Sequence, residues 1–397
     1  MSTPRISLDG LEPRSITDEQ RAVAPLARSE DGTWVVLGHA EARRVVEDAE
    51  AFSSAVSRFL QVPNGLDGTE HAAVRAATDR FFAPEAMARL EPVLVRIARG
   101  LVAELLEDVP GTGTEVDAVA AIGAVFAVRA QTAWLGWPAA LEPELLAWMS
   151  QNHEATRSGD LAGTAAAAER FDEIIRSVLA PRRALGSEDP GDVTAQLMRV
   201  RVALPDPDTP GAVDRLFTEE ELVSVLRNWT GGDLGSIALC LGVILRELAH
   251  RPVLATRLRT GSAAEATAII DELLRIDDPF VANRRVARCP VRIGEEEIAA
   301  GDRVLVHWTS ANRDERVFGR ADSVDPAAHA SANLVYGAGP HACPGRPLAT
   351  LELRVLVREL LAAADARPAE EPGEREIAPL GGWAHAPVVL VPRSVTG

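Results

Sequence analysis

The chain has 397 residues, 47% of them hydrophobic and 25% charged, which is ample for a large core. No Gly/Ser-rich or charge-block linker divides it, so a single domain over 1–397 is expected. The formal net charge of -17 argues against a general nucleic-acid binder or a protein of anionic membrane surfaces. All 41 basic residues are arginine, whose planar fork suits carboxylate partners. Cys240, Cys289 and Cys343 lie in unlike surroundings with no CxxC spacing, so no disulfide framework is expected and a reducing, cytoplasmic setting is. Residues 1–10 show no apolar signal region, and no uninterrupted apolar run is expected to span a bilayer.

The start of the chain reads as polar loop. Thr33 to Leu37 reads as a short strand, His39 to Glu50 as a helix, and Phe52 to Gly68 as irregular. A helical run from Glu70 to Phe82 carries His71 and Arg75 four residues apart, on one face, a pair of donors suited to carboxylates. Helices are predicted over Pro84 to Leu106, Val116 to Trp134, Glu142 to His153 and Ala162 to Ala180. Gly186 to Pro190 and Pro205 to Gly211 read as loops.

Thr218 and Glu221 form a capping box, and the helix they start should run to about His250, on the order of 48 Å. Inside it lies Trp229-Thr230-Gly231-Gly232-Asp233-Leu234-Gly235-Ser236. Each glycine costs about 1 kcal/mol relative to alanine, and a buried Asp needs a partner. Such penalties point to the close approach of a flat ligand, the alternative being a packing kink. The next helix, Ala264 to Ile276, places Glu272 and Arg275 three apart, within pairing reach. Short strands follow near Phe280, Asn283, Arg284 and Arg285, at Val291 to Ile293, Glu297-Ile298 and Val304 to His307. Gly381-Gly382-Trp383 reads as a turn.

From Tyr336 to Ala349, three glycines and three prolines surround Cys343, and Leu348 to Leu361 reads as a helix. A stiff loop holding a thiol at a helix N-terminus favours the thiolate, and a metal is its natural partner. The alternative for an isolated cysteine is a structural thiol.

This stretch resembles the haem-thiolate loop of the cytochrome P450 family, with Tyr336 in place of the usual Phe. The H-x-x-x-R pair, the E-x-x-R pair and the glycine-acid segment of the long helix are similar to the family's motifs and stand in its order. The resemblance implies a mainly α fold with small β-sheets and a haem b whose axial ligand is Cys343. Tyr336 and Gly345 would frame the haem, and His71, Arg75, Arg285 and His341 would hold its propionates, with Arg284 the competitor if the register slips. Asp233 would be the distal acid. Leu234 stands where a threonine hydroxyl is usual, leaving water, Ser236 or a substrate hydroxyl as its partner. Trp229, Gly232, Phe280, Asn283 and Trp383 would face substrate. Pro344 has no amide, which implies weaker hydrogen bonding to the thiolate. The implied activity is insertion of one oxygen atom from dioxygen into a small organic substrate, by a monomer free of membrane and nucleic acid. Electrons would come from a ferredoxin and its reductase. Leu234 keeps oxidative coupling or peroxide use open, and a haem-based sensor is the non-enzymatic alternative.

Overall fold

A computed structural model describes residues 3–8, 13–183, 191–206 and 209–393; the predicted loop from Gly186 to Pro190 lies outside them. Its helices are α1 (Pro13–Val23), α2 (His39–Glu47), α3 (Gly68–Thr78), α4 (Pro84–Leu106), α5 (Val125–Leu135), α6 (Glu142–Ser158), α7 (Leu161–Arg182) and α8 (Val193–Leu197). Then come α9 (Glu219–His250), α10 (Pro252–Thr260), α11 (Ala263–Ile276), the one-turn α12 (Trp308–Ala311), α13 (Glu315–Phe318) and α14 (Pro326–His329), and α15 (Arg346–Ala363).

Helix α9 is the axis of the molecule. Its start is closed by the capping box: Thr218 Oγ1 accepts from the Glu221 amide at 3.2 Å, and Glu221 Oε2 from the Thr218 amide at 2.8 Å. Ile237, Ala238, Leu239, Leu241, Val243, Ile244, Leu245 and Leu248 are all buried, so the second half is apolar on nearly every face and needs neighbours all round. Those neighbours include α5, α7, α11 and α15. The helix runs unbroken through Gly231, Gly232 and Gly235.

The strands form small sheets at the edges. In the largest, β1 (Leu26–Arg28), β2 (Trp34–Val36), β10 (Arg303–His307), β7 (Ala282–Ala287) and β3 (Phe52–Ser53) lie in that order, with β2 and β10 parallel and the other pairs antiparallel. A second sheet orders β11 (Ala364–Pro368), β14 (Pro387–Pro392) and β4 (Thr114–Asp117). Three hairpins complete the set: β5 (Arg201–Asp206) with β6 (Thr209–Leu216), β8 (Val291–Ile293) with β9 (Glu296–Ile298), and β12 (Glu374–Arg375) with β13 (Trp383–His385).

Three sequence expectations need correction. The N-terminal loop contains α1, whose Arg21 reaches the Ser310 and Arg313 carbonyls at 2.9 and 2.8 Å. The helix expected from Val116 begins instead as β4, passes through a wide π turn at Ala118–Ala124, and becomes α helical only at Val125. There a Cβ on Gly123 would lie 2.7 Å from Ala238 Cα, so the glycine permits close seating on α9. Residues 118–135 are long and apolar enough by composition to cross a membrane, but Arg129 interrupts the run and two-thirds of the residues are buried inside the protein. The loop from Pro205 to Gly211 belongs to the β5–β6 hairpin, in which Val202 and Leu204 point inward and Arg201 pairs with Asp214 at 2.8 Å.

Helix α11 fastens the segment that leads to the cysteine. Arg275 bonds both Glu272 oxygens at 2.8 and 3.0 Å and the carbonyls of Asn312 at 2.7 Å and Ser323 at 2.8 Å. Glu272 also meets His329 Nδ1 at 2.6 Å and the Asp325 amide at 3.0 Å. Arg275 is 0% and Glu272 2% exposed, so removing one partner strands a charge out of water. Arg275→Leu should therefore lower the unfolding free energy by about 3–5 kcal/mol. Urea denaturation followed by circular dichroism would measure it, and a loss below ~1 kcal/mol would show that the pair does not brace the fold.

Candidate functional site

The cysteine loop is held by its backbone. The Cys343 amide donates to the Tyr336 carbonyl at 2.9 Å. Gly339, at φ 70°, presses on α2 so closely that a Cβ would lie 2.3 Å from the Val46 carbonyl oxygen. The Cys343 thiol is accessible to water even though protein surrounds it, as on the wall of a recess. Burial raises its pKa, while the amides of Gly345 and Arg346 donate to the sulfur and oppose that rise. Pro344 itself supplies no donor, and the next two residues do. Tyr336 points outward from the loop: its hydroxyl donates to Asp271 at 3.3 Å and Arg346 lies 5.0 Å over its ring.

A cluster of donors stands beside the loop. The His71 and His341 rings are 3.9 Å apart. Arg75 bonds Asp79 at 2.8 Å and the carbonyls of Pro340 and Ala342 at 3.0 and 3.1 Å. On β7, Arg285 is buried and turned inward, whereas Arg284 is on the exposed side. The one hydrogen bond Arg285 makes among the described residues is to the Arg284 carbonyl at 2.7 Å. Burial, then neighbouring positive charge, lowers the pKa of both histidines, His341 to about 4. Asp67, 3.8 Å from His341 Nε2, is the nearby anion and is engaged by Ser53, Ser54 and Arg288. The cluster is short of negative charge, and a pair of carboxylates would suit it.

On α9, Gly232 is exposed although its helix is buried, and a Cβ there would meet nothing within 4 Å. Asp233 is the next residue. Gln131 Nε2 on α5 donates to Asp233 Oδ2 at 2.5 Å. Glu352 of α15 forms a carboxyl–carboxyl contact with Asp233; it is 0% exposed, and neither of its oxygens has another partner. Burial raises both carboxyl pKa values, that of Asp233 to about 7, and the charge of Asp233 raises that of Glu352 further, so the contact requires a proton. Ser236 is half-buried one turn beyond Gly232, with no bond to Asp233. Leu234 is 1% exposed, turned about 200° from Gly232 into the core.

Glu352 and Gln131 were missed in the sequence, although Glu352 had a signal: it interrupts the apolar stripe of Leu348, Leu351, Val355 and Leu356. The expected substrate contacts divide. Phe280 is 48% exposed. Trp229 is spent on packing: it is 7% exposed and meets Phe81, Phe82 and Trp134 at 5.6, 5.2 and 5.4 Å. Trp383 is flanked by Arg246 and Arg375 at 4.0 and 4.4 Å. Asn283 accepts from Trp308 Nε1 at 2.8 Å. The 60–64 segment is fastened to α9: the Val62 amide donates to Ser224 Oγ at 2.8 Å, and the Leu60 carbonyl accepts from Arg227 at 2.9 Å.

An accessible thiol with amide donors, an anion-poor donor cluster and a helix opened by Gly232 fit a flat, metal-bearing dicarboxylate: a haem held through sulfur. The fold and site thus define a haem-thiolate enzyme. The cytochrome P450 family model matches residues 266–380. The putative cytochrome P450 126 of Mycobacterium tuberculosis is 30% identical over 366 residues, covering 87% of this chain and 84% of its own. The erythromycin C-12 hydroxylase of Saccharopolyspora erythraea is 27% identical over 86% of this chain and 84% of its own, and the cyclomarin C epoxidase of Salinispora arenicola 28% over 81% of each. The solved open form of P450 EryK from S. erythraea superposes with a TM-score of 0.81 over 96% of both chains at 24% identity. The chain belongs to the cytochrome P450 family, binds haem through a cysteine thiolate and is a monooxygenase.

The acid pair makes stability depend on pH. Its carboxyls keep a proton when folded that the unfolded chain, with carboxyls near 4, releases. The stabilisation is therefore complete below that ordinary range and is lost as pH rises through the raised folded values. Glu352→Gln should flatten the fall in unfolding free energy between about pH 5 and 8. Denaturant titrations of both proteins across that interval test this; parallel profiles would show that the pair shares no proton.

Proposed function

We propose that this P450 inserts one oxygen atom of dioxygen into a small organic molecule of secondary metabolism, acting as a monomeric single domain over 1–397 in the cytoplasm. The accessible Cys343 thiol, in a rigid loop whose Gly345 and Arg346 amides donate to the sulfur, carries this reading. The hydroxylase and epoxidase relatives support the substrate class. Bound haem supplies dioxygen activation, favoured by thiolate donation.

In this reading Cys343 is the axial thiolate, and Gly345 sets its frame. His71, Arg75, Arg285 and His341 hold the propionates. Asp233 holds a transferable proton against Glu352, with Gln131 fixing its Oδ2, and Ser236 offers a hydroxyl on the same flank. Because Leu234 lies in the core, a hydroxyl missing there says nothing about the chamber, and the acid pair favours the dioxygen reaction over peroxide use or coupling. Electrons come from a ferredoxin and its reductase. A recess of about 670 Å³ lined by Asp271, Tyr336 and Arg346, outside the cysteine loop, offers such a partner a seat close to the sulfur.

Cys343→Ser should abolish the thiolate band of the reduced carbon monoxide complex, while Cys240→Ser and Cys289→Ser keep it; the opposite pattern would move the ligand. Arg75→Ala with Arg285→Ala should release haem at lower denaturant, and unchanged retention would remove both from the propionate site. Under reductase-driven turnover, Asp233→Asn should slow product formation by about 10²–10⁴-fold or raise the share of hydrogen peroxide. Unchanged rate and coupling would take Asp233 out of proton delivery.

A further inference from the structure

On the flank of α9 away from the acid pair, a second polar group comes close. A Cβ on Gly235 would lie 3.0 Å from Nε2 of His153, so the imidazole occupies the room that a side chain at 235 would take. His153 is carried by α6, in its last turns. One turn earlier on α9, Gly231 faces Phe171 and Trp148, which stack at 3.9 Å. The surroundings on this flank are aromatic, and His153 departs from them.

The ring is half-buried, and among the described residues neither of its nitrogens makes a hydrogen bond. The charges nearest to it, Arg157 and Glu376, are occupied with each other, with Arg157 Nη2 at 2.6 Å and Nε at 2.9 Å from the Glu376 oxygens. Burial lowers the His153 pKa, the main influence on it, so the neutral ring predominates at neutral pH. A neutral imidazole offers one donor and one acceptor. Such a ring, unbonded on an apolar wall, has its hydrogen bonds to give to something that enters.

We propose that His153, seated across Gly235, is the specificity-determining hydrogen-bonding residue of the substrate chamber, and that it selects neutral substrates with an apolar body bearing a hydroxyl or carbonyl. A fixed charge on the substrate would find no counter-ion here, because Arg157 and Glu376 neutralise each other. The glycine at 235 lets the ring sit this close, since a Cβ there would ask it to give by a few tenths of an ångström. The proposal rests on the P450 reading of the site, since that reading makes the space beside α9 a substrate chamber.

The test uses the haem-loaded protein and a matched probe pair, 4-cyclohexylphenol and cyclohexylbenzene, with dissociation constants read from the Soret shift. The wild type should prefer the phenol by about tenfold, the worth of one hydrogen bond. His153→Phe should bind both probes alike, His153→Gln should keep part of the preference, and Gly235→Ala should weaken it by shifting the ring. A preference retained in His153→Phe overturns the proposal, as does a wild type that binds the probes equally or binds neither. The carbon monoxide band of each protein is recorded alongside. Its absence in the wild type would refute the P450 reading itself, whereas its presence with an unchanged probe ratio refutes only the role of His153.

Discussion

The buried pair of Glu272 and Arg275 is the constraint on which the rest depends. Two charges without water are tolerable only when every donor and acceptor is used. Here the guanidinium and carboxylate spend their remaining bonds on the backbone of Asn312, Ser323 and Asp325 and on His329. The pair thereby orders a stretch with little regular structure. Asn312 in turn accepts the Leu334 amide at 2.7 Å, two residues before Tyr336. The position of the thiol is thus set from α11, through a chain of bonds with few slack members.

The long helix divides the work by its faces. Gly232 leaves room for a flat partner, Asp233 turns toward α5 and α15, Gly235 toward α6, and Leu234 into the core. One turn of helix presents four environments because successive residues point about 100° apart. Residue type at position 234 is therefore only half of the comparison: the direction of the side chain decides what a hydroxyl there would reach.

Much was legible in the sequence. The capping box, the helix spans and the order of His71, Arg75, Glu272, Arg275 and Cys343 follow from local pattern, and local pattern is what one strand of text carries. Partners from distant segments were not legible. Glu352 and Gln131 are 119 and 102 residues from Asp233, and nothing near Asp233 names them. The aromatic cluster that claims Trp229 and the arginines that flank Trp383 are of the same kind. The β5–β6 hairpin was hidden because prolines break its alternation, and α1 because its outer face is strongly polar.

The fastening of the 60–64 segment to α9 has a consequence for the kinetics of exchange. Ser224 and Arg227 hold Leu60 and Val62, Asn228 holds the Val62 carbonyl at 3.0 Å, and Arg227 is itself anchored to Asp172 on α7 at 2.6 Å. Each bond is worth about 0.5–1.5 kcal/mol against water, so lifting the whole segment requires a few kcal/mol. The lifted state is then a small minority at equilibrium. The Val62 amide, bonded to Ser224, therefore exchanges its hydrogen only during those rare intervals.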